Sequence, residues 1–470
     1  MIKALLLSMP DVVPQFHIAS CLPNLGIVSI AGNIDASICD IKVADLVLAR
    51  KNPESYVLSV LREQSPNVVG LSCMSLQYNS AIKLAKLIKG YDKNILVVIG
   101  GYHPTLMYEE ISSSPDAQFI DFIVRGEGEA TFSEFIAALN SGKGYDKIEG
   151  LSYKANDRFH HNPPRALLSL DDIKMPKRDA RLLKKGFHAL GSPSDVVETS
   201  RGCVYGCKFC TIKYMYGRSF REYKVERVIS DIKDAREHGA KSLIFADDNI
   251  TLNLRRLDTI CDEIISAKLN SIHYIIVASV SGIANDEKLV RKMADAGVKM
   301  VFLGIESFDK KELDFLGKKT SNLEMTQKAV KYLRDNGIIS FGGFIVGNPE
   351  DDEESLWRIF KWAWDMQVDI PIFSILIPHL KTEIRDELME KELVTNCDDF
   401  STYNGFYANV RTNYLTSEEL YKIVEKMYND YNRNIDYLKF NQVRKIYPAY
   451  FWKLLIKESF SIVSKFIRRK

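Results

Sequence analysis

The chain has 470 residues, 46% of them hydrophobic and 26% charged, with a formal net charge of +2. One hydrophobic core rarely organises that length, so two or three domains are expected. The near-neutral balance offers no broad electrostatic footprint, which argues against nucleic acid as a partner. No apolar run approaches a membrane-spanning length.

Residues 1–140 alternate short apolar runs with amphipathic stretches. KALLLS, IKVADLV, NVVGLSC, ILVVIGG and DFIVRG read as strands, with helical segments such as SAIKLAKLIKG between them. The alternation predicts an α/β fold: a doubly wound parallel sheet covered on both faces. Ligands of such sheets sit beyond the carboxyl ends of the strands, where Gly100–Thr105 and Gly126–Thr131 form glycine-rich ends. Met1 opens directly onto the first strand, which stops at Pro10, so no secretion leader is read. Cys21, Cys39, Cys73, Cys261 and Cys397 are scattered singly in apolar surroundings, and a reducing cytoplasm is expected.

Residues 141–194, rich in proline and charge, read as a linker with a small hairpin. His160 and His161 have no carboxylate or cysteine at ligand spacing and read as a solvated loop rather than a metal site. From 195 to 385 six further strand candidates follow: DVVETS, SLIFADD, YIIVASV, MVFLGIES, ISFGGFIVG and PIFSILIP. Six strand–helix units predict a partial (β/α) barrel with its active site at the C-terminal strand ends. Residues 386–470 read as helical, with Thr416 and Glu419 spaced as a capping box.

Cys203, Cys207 and Cys210 share one loop just after the first of those barrel strands. A structural zinc site needs four ligands, commonly as two separated pairs, and a second pair is missing. A disulfide would use two cysteines and strand the third. Iron–sulfur clusters take one thiolate per iron, so three thiolates on a four-iron cluster leave one iron open to a substrate or cofactor.

The Cys-x3-Cys-x2-Cys spacing, with Phe209 before the last cysteine, resembles the radical S-adenosylmethionine (SAM) superfamily, and the likeness covers the whole second block. It implies a 4Fe-4S cluster on the three cysteines, with SAM on the open iron. Asp247, Asp248 and Asn249 then stand where the family meets the SAM amino nitrogen, though alone they read as a helix cap. Glu306 and Ser307 match the motif near the ribose and carboxylate. Gly343 matches the strand that packs near the adenine, and Ile377 would offer backbone to the adenine edge. The first block resembles the cobalamin-binding domain that precedes many radical SAM enzymes, through Pro23–Ile34, Gly70–Ser75, Gly100–Thr105 and Gly126–Phe132. The implied cobalamin contacts are Gly26, Ser72, Gly101, His103, Pro104, Thr105, Gly126, Glu127 and Gly128. No histidine has the Asp-x-His-x-x-Gly context that ligates cobalt in many corrinoid proteins, so the resemblance implies a histidine-off cobalamin and a loop role for His103.

Together the halves are similar to cobalamin-dependent radical SAM enzymes, most often C-methyltransferases acting on an unactivated carbon of a small molecule or lipid. Cobalamin-dependent oxidative cyclisation or ring rearrangement of a tetrapyrrole-like scaffold, and a non-enzymatic corrinoid and iron–sulfur carrier, remain as alternatives. A ferredoxin or flavodoxin is the implied electron donor. The tail from Phe451 carries Lys453, Lys457, Lys465, Arg468, Arg469 and Lys470 against Glu458. It reads either as a terminal helix packed on the barrel or as a basic amphipathic helix touching an anionic membrane. Tyr214, Met215 and Tyr216 read as shielding for the cluster, and Tyr403, Tyr407 and Tyr414 as an aromatic core stripe.

Overall fold

Residues 1–13, 19–433 and 441–451 are described by the computed structural model of the chain. Five parallel strands, Ile2–Ser8, Cys39–Asp45, Val68–Ser72, Leu96–Gly100 and Phe122–Val124, build the N-terminal sheet. Cys39–Asp45 lies on one side of Ile2–Ser8, and the later three follow in sequence on its other side. The strands are apolar throughout because both faces are covered. Leu5 and Leu7 pack with Val57, Leu61 and Ala81, whereas Ala4 and Leu6 pack with Ile27, Val28 and Phe135. That alternation is the two-residue period of a strand with helices on either side.

The segment expected as a linker is partly built into this sheet. Leu151–Ala155 pairs antiparallel with Phe122–Val124 and turns back through Arg158–His161. His160 and His161 are exposed as expected, but on that outer strand rather than in a loop.

All six barrel strands form: Ser192–Val197, Ser242–Phe245, His273–Ser279, Val298–Glu306, Ile339–Val346 and Ile370–Ile375. They are parallel and adjacent in chain order. The intervening helices begin at Asn253, Asp286, Asn322 and Asp352, whose side chains accept the first free backbone N–H groups. Beyond the first strand the sheet gains His188–Ala189 and then Ser20–Cys21, each antiparallel to the strand it pairs with. The N-terminal block therefore contributes a strand to the barrel sheet, which the sequence pattern did not announce.

The C-terminal helix Ser417–Arg433 starts with the expected box: the Glu419 N–H donates to Thr416 Oγ1 at 3.3 Å, and the Thr416 N–H to Glu419 Oε2 at 2.9 Å. Tyr431 anchors it by donating to the Val368 carbonyl at 2.7 Å. Among the described residues no helix is long and apolar enough to cross a membrane.

The connection into the barrel is held by a buried arginine. Arg178 donates to Asp195 at 3.0 Å, Asp231 at 2.6 Å, Asp234 at 2.7 Å and the Val196 carbonyl at 3.0 Å. Truncation would leave Asp231 buried without its cation, and Asp195 with Arg181 alone. Arg178→Ala is therefore expected to destabilise the barrel by about 3–5 kcal/mol, read as a lower midpoint in denaturant titration.

Candidate active site

The cysteine loop is suspended from the first two barrel strands. Asp247, at the tip of the second, accepts from the Thr199 N–H at 3.1 Å, from the Thr199 hydroxyl at 2.6 Å and from the Ser200 hydroxyl. Its neighbour Asp248 accepts from the Gly202 N–H at 2.9 Å. Gly202 takes φ +91°, a conformation that L side chains rarely adopt, so the chain turns sharply just before Cys203. Further along, the Lys208 N–H donates to the Leu316 carbonyl and the Cys210 N–H to the Cys207 carbonyl.

The three thiols are half-buried. Burial raises the pKa of each, that of Cys210 to about 11 with Cys207, Asp248 and Cys203 adding to the effect. They thus share one electrostatic neighbourhood and need a cation to become thiolates. Three cysteines on one loop suit a cubane, with each thiolate on a different iron, better than structural zinc, which takes four ligands. Phe209 packs beside the loop against the barrel core.

Glu306 ends the fourth barrel strand at φ +65°, where the pairing register slips between Gly304 and Glu306. A non-glycine residue held there marks stored backbone strain. Its carboxylate pairs with Lys318 at 2.9 Å. A Cβ on Gly304 would lie 2.8 Å from both partner atoms, so the glycine makes room for the pair. Ser307 donates to Glu312 at 2.6 Å, and Gly343 backs onto the Phe302 ring. The Ile377 carbonyl accepts from the His379 N–H at 2.8 Å. Asn249 accepts from Thr251 and from the Ser279 N–H, which makes it a turn-former.

The carboxyl ends of the N-terminal strands face this loop across a cavity of about 380 Å³. Gly26, Ser72, Gly101, Gly126, Glu127 and Gly128 line one side; Glu198, Arg201, Met215, Tyr216 and Ala246 line the other. A Cβ on Gly101 would sit 2.7 Å from the Cys73 carbonyl, whereas one on Gly126 would meet no protein atom within 4 Å. The Gly126 backbone therefore borders open space, as close approach of a flat macrocycle requires.

His103, Pro104 and Thr105 do not line that cavity. His103 is buried against Tyr78 and Phe400, and burial lowers its pKa to about 4. Thr105 ties the two glycine turns together, donating to the Gly101 carbonyl and accepting from the Gly126 N–H. Among the described residues no histidine lines the cavity.

Sequence reasoning missed the charges that join the halves. Arg201 pairs with Glu127 at 2.8 Å, Glu129 at 2.7 Å and Glu198 at 2.9 Å, and Arg221 pairs with Glu127 at 2.8 Å. The signal was the acid-rich GEGE turn, whose cations lie some seventy and ninety residues downstream, roughly the separations these bonds span. Tyr102 was missed too; it lines the cavity, as Tyr216 does. So was His379, whose pKa burial lowers to about 4.

Residues 15–136 match the B12 binding domain family, and residues 197–363 match the Radical SAM superfamily. An uncharacterized methyltransferase of Pyrococcus horikoshii, PH0819, is 31% identical over 86% of this chain and 87% of its own length. The chain belongs to the cobalamin-dependent radical SAM family. The anaerobic magnesium-protoporphyrin IX monomethyl ester cyclase of Rubrivivax gelatinosus is 26% identical over 91% of this chain and 78% of its own length. Among solved structures, the radical SAM methyltransferase TsrM from Kitasatospora setae, with cobalamin and a 4Fe-4S cluster bound, has a TM-score of 0.68 at 17% identity, covering 83% of this chain and 78% of that one. The radical SAM enzyme described here accordingly uses a 4Fe-4S cluster, SAM and cobalamin.

Glu198 reports on this junction. Burial raises its pKa to about 7, with the Arg201 guanidinium pulling the other way. A carboxyl whose folded pKa is raised stabilises the fold fully below its unfolded value and loses that contribution as pH rises through the folded value. Wild type should therefore lose stability between pH 5 and pH 7, and Glu198→Gln should flatten that fall by up to about 3 kcal/mol, read from denaturant midpoints at each pH.

Proposed function

We propose that this enzyme transfers a methyl group to an unactivated carbon of a small organic molecule or lipid. The observation that carries the reading is the shared cavity, with glycine turns of the cobalamin-type sheet on one wall and the base of the cysteine loop on the other. When bound, the cluster and SAM supply hydrogen-atom abstraction and cobalamin supplies the methyl group. The chain's part is placement. Cys203, Cys207 and Cys210 hold the cluster; Asp248, Glu306, Gly343 and Ile377 border SAM. Ser72 and the backbone of Gly26, Gly101, Gly126 and Gly128 border the corrin. Asp247, Asn249, Ser307 and Thr105 shape those walls through the hydrogen bonds they already make. Juxtaposition in one cavity turns an encounter of substrate and methyl donor into a step within one complex.

The methyltransferase names of the Pyrococcus relative and of TsrM support this reading. The Rubrivivax cyclase favours a second one, oxidative ring formation without methyl transfer. A purely carrier role falls with the family assignment. Anaerobic protein reconstituted with cobalamin, SAM and reductant, incubated with candidate substrates, separates the two. Methyl transfer is expected to yield S-adenosylhomocysteine and 5′-deoxyadenosine in equal amounts, whereas cyclisation yields 5′-deoxyadenosine without S-adenosylhomocysteine. Cys207→Ala should form no 5′-deoxyadenosine while still binding cobalamin at saturating corrinoid; retained cleavage would refute the cluster assignment.

The reading extends to electron supply by a ferredoxin or flavodoxin and to a hydrophobic substrate reached at a membrane surface. The basic tail that motivates the second point, residues 452–470, lies outside the described residues. The full chain is expected to sediment with anionic liposomes at low salt and to leave them as salt rises. Protein that ignores such liposomes would remove the membrane contact.

A further inference from the structure

Three buried carboxylates and two guanidiniums sit between the cobalamin-type sheet and the cysteine loop. Glu127 belongs to the turn whose neighbours Gly126 and Gly128 line the cavity, and Glu129 opens the helix behind it. Arg201 stands two residues before Cys203, on the same turn as Gly202. Its guanidinium is almost fully buried, and three of its nitrogens are each satisfied by a different carboxylate. Glu127 is gripped again by both Arg221 nitrogens, at 2.8 and 3.0 Å, and accepts from the Leu168 N–H at 3.0 Å. Glu129 also accepts from Ser29, on the helix that starts beside Gly26, at 2.7 Å. Every oxygen that holds Arg201 is thus tied to the corrin side of the cavity or to the first barrel strand. A buried charge set of this kind tolerates little displacement, because moving one member leaves its partners desolvated and unpaired.

We infer that Arg201 is a positioning residue that couples the two cofactor sites: assembly of the cluster on Cys203, Cys207 and Cys210 fixes Arg201, Arg201 fixes the Gly126–Gly128 turn, and the turn sets the affinity for cobalamin. Linkage makes the effect reciprocal, so bound cobalamin strengthens cluster retention by the same factor. The inference rests on the family's cofactor set and on the cavity described above. It concerns binding, and needs neither the substrate nor turnover. Two of the turn's three residues are glycines, which widen the conformations open to it; holding it removes an entropic cost that cobalamin would meet on binding.

The test measures hydroxocobalamin affinity by equilibrium dialysis of the full chain, once chelator-stripped and once with its cluster reconstituted. Wild type is expected to bind about ten-fold tighter with the cluster than without it. In Arg201→Met that ratio should fall to within about two-fold, with the cluster still visible in the absorption spectrum, and Arg201→Lys should recover part of it. A wild-type ratio near one, or a ratio that survives in Arg201→Met, would overturn the coupling. Should Arg201→Met fail to fold by circular dichroism, the reciprocal measurement on wild type decides: hydroxocobalamin should raise the chelator concentration needed to strip half the iron, and no shift would overturn the coupling. Absence of hydroxocobalamin binding in both states would instead sink the cofactor assignment, and the coupling with it.

Discussion

The geometry of the site depends on one buried guanidinium. Arg201 stands between the first barrel strand and the cysteine loop and meets Glu127 and Glu129 of the N-terminal block and Glu198, which directly follows that strand. Each of those carboxylates is costly to bury alone, and the guanidinium fork is suited to holding several at fixed angles. The charges of Arg201 and Arg221 do not fully offset three carboxylates, which agrees with burial pushing Glu198 up to about 7. The two sheets therefore cannot slide past each other without exposing unpaired charge in a place that water reaches poorly.

Around that anchor both halves follow one rule. Parallel strands end in turns whose backbone groups have no further ladder partner, and those ends face each other across a single cavity. Glycine is required where the turn must pass close to another backbone, as at Gly101 and Gly202. At the end of the fourth barrel strand Glu306 carries a left-handed backbone, held by the Lys318 ion pair and by the space at Gly304. Other contacts close the cleft further out: Lys381 pairs with Glu110 at 2.7 Å, and Phe400 lies over His103. His103 packs between the N-terminal sheet and the C-terminal region, against Tyr78 and Phe400.

The same division separates residues that shape the site from residues that face it. Of the three polar residues after the second barrel strand, Asp247 and Asn249 spend their oxygens on neighbouring backbone and hydroxyl groups. Asp248 accepts a hydrogen bond from the Gly202 N–H, and burial raises its pKa to about 6. Tyr102 of the N-terminal block and Tyr216, which follows the cysteine loop, line the same cavity, so its wall is built from both domains.

The order of the strands, both parallel sheets and the cysteine loop were legible in the sequence because they rest on local signals. Apolar runs five to nine residues long, glycines at their ends and three cysteines within eight positions need no distant partner to be recognised. What tertiary structure alone decided is which polar residues meet. The cations of the GEGE turn lie far downstream. The hairpin at Leu151–His161 joins a sheet edge rather than standing free, and Ser20–Cys21 crosses to the other sheet. Pairings of that kind depend on loop closure and burial over long separations, and nothing in the local pattern of residues encodes them.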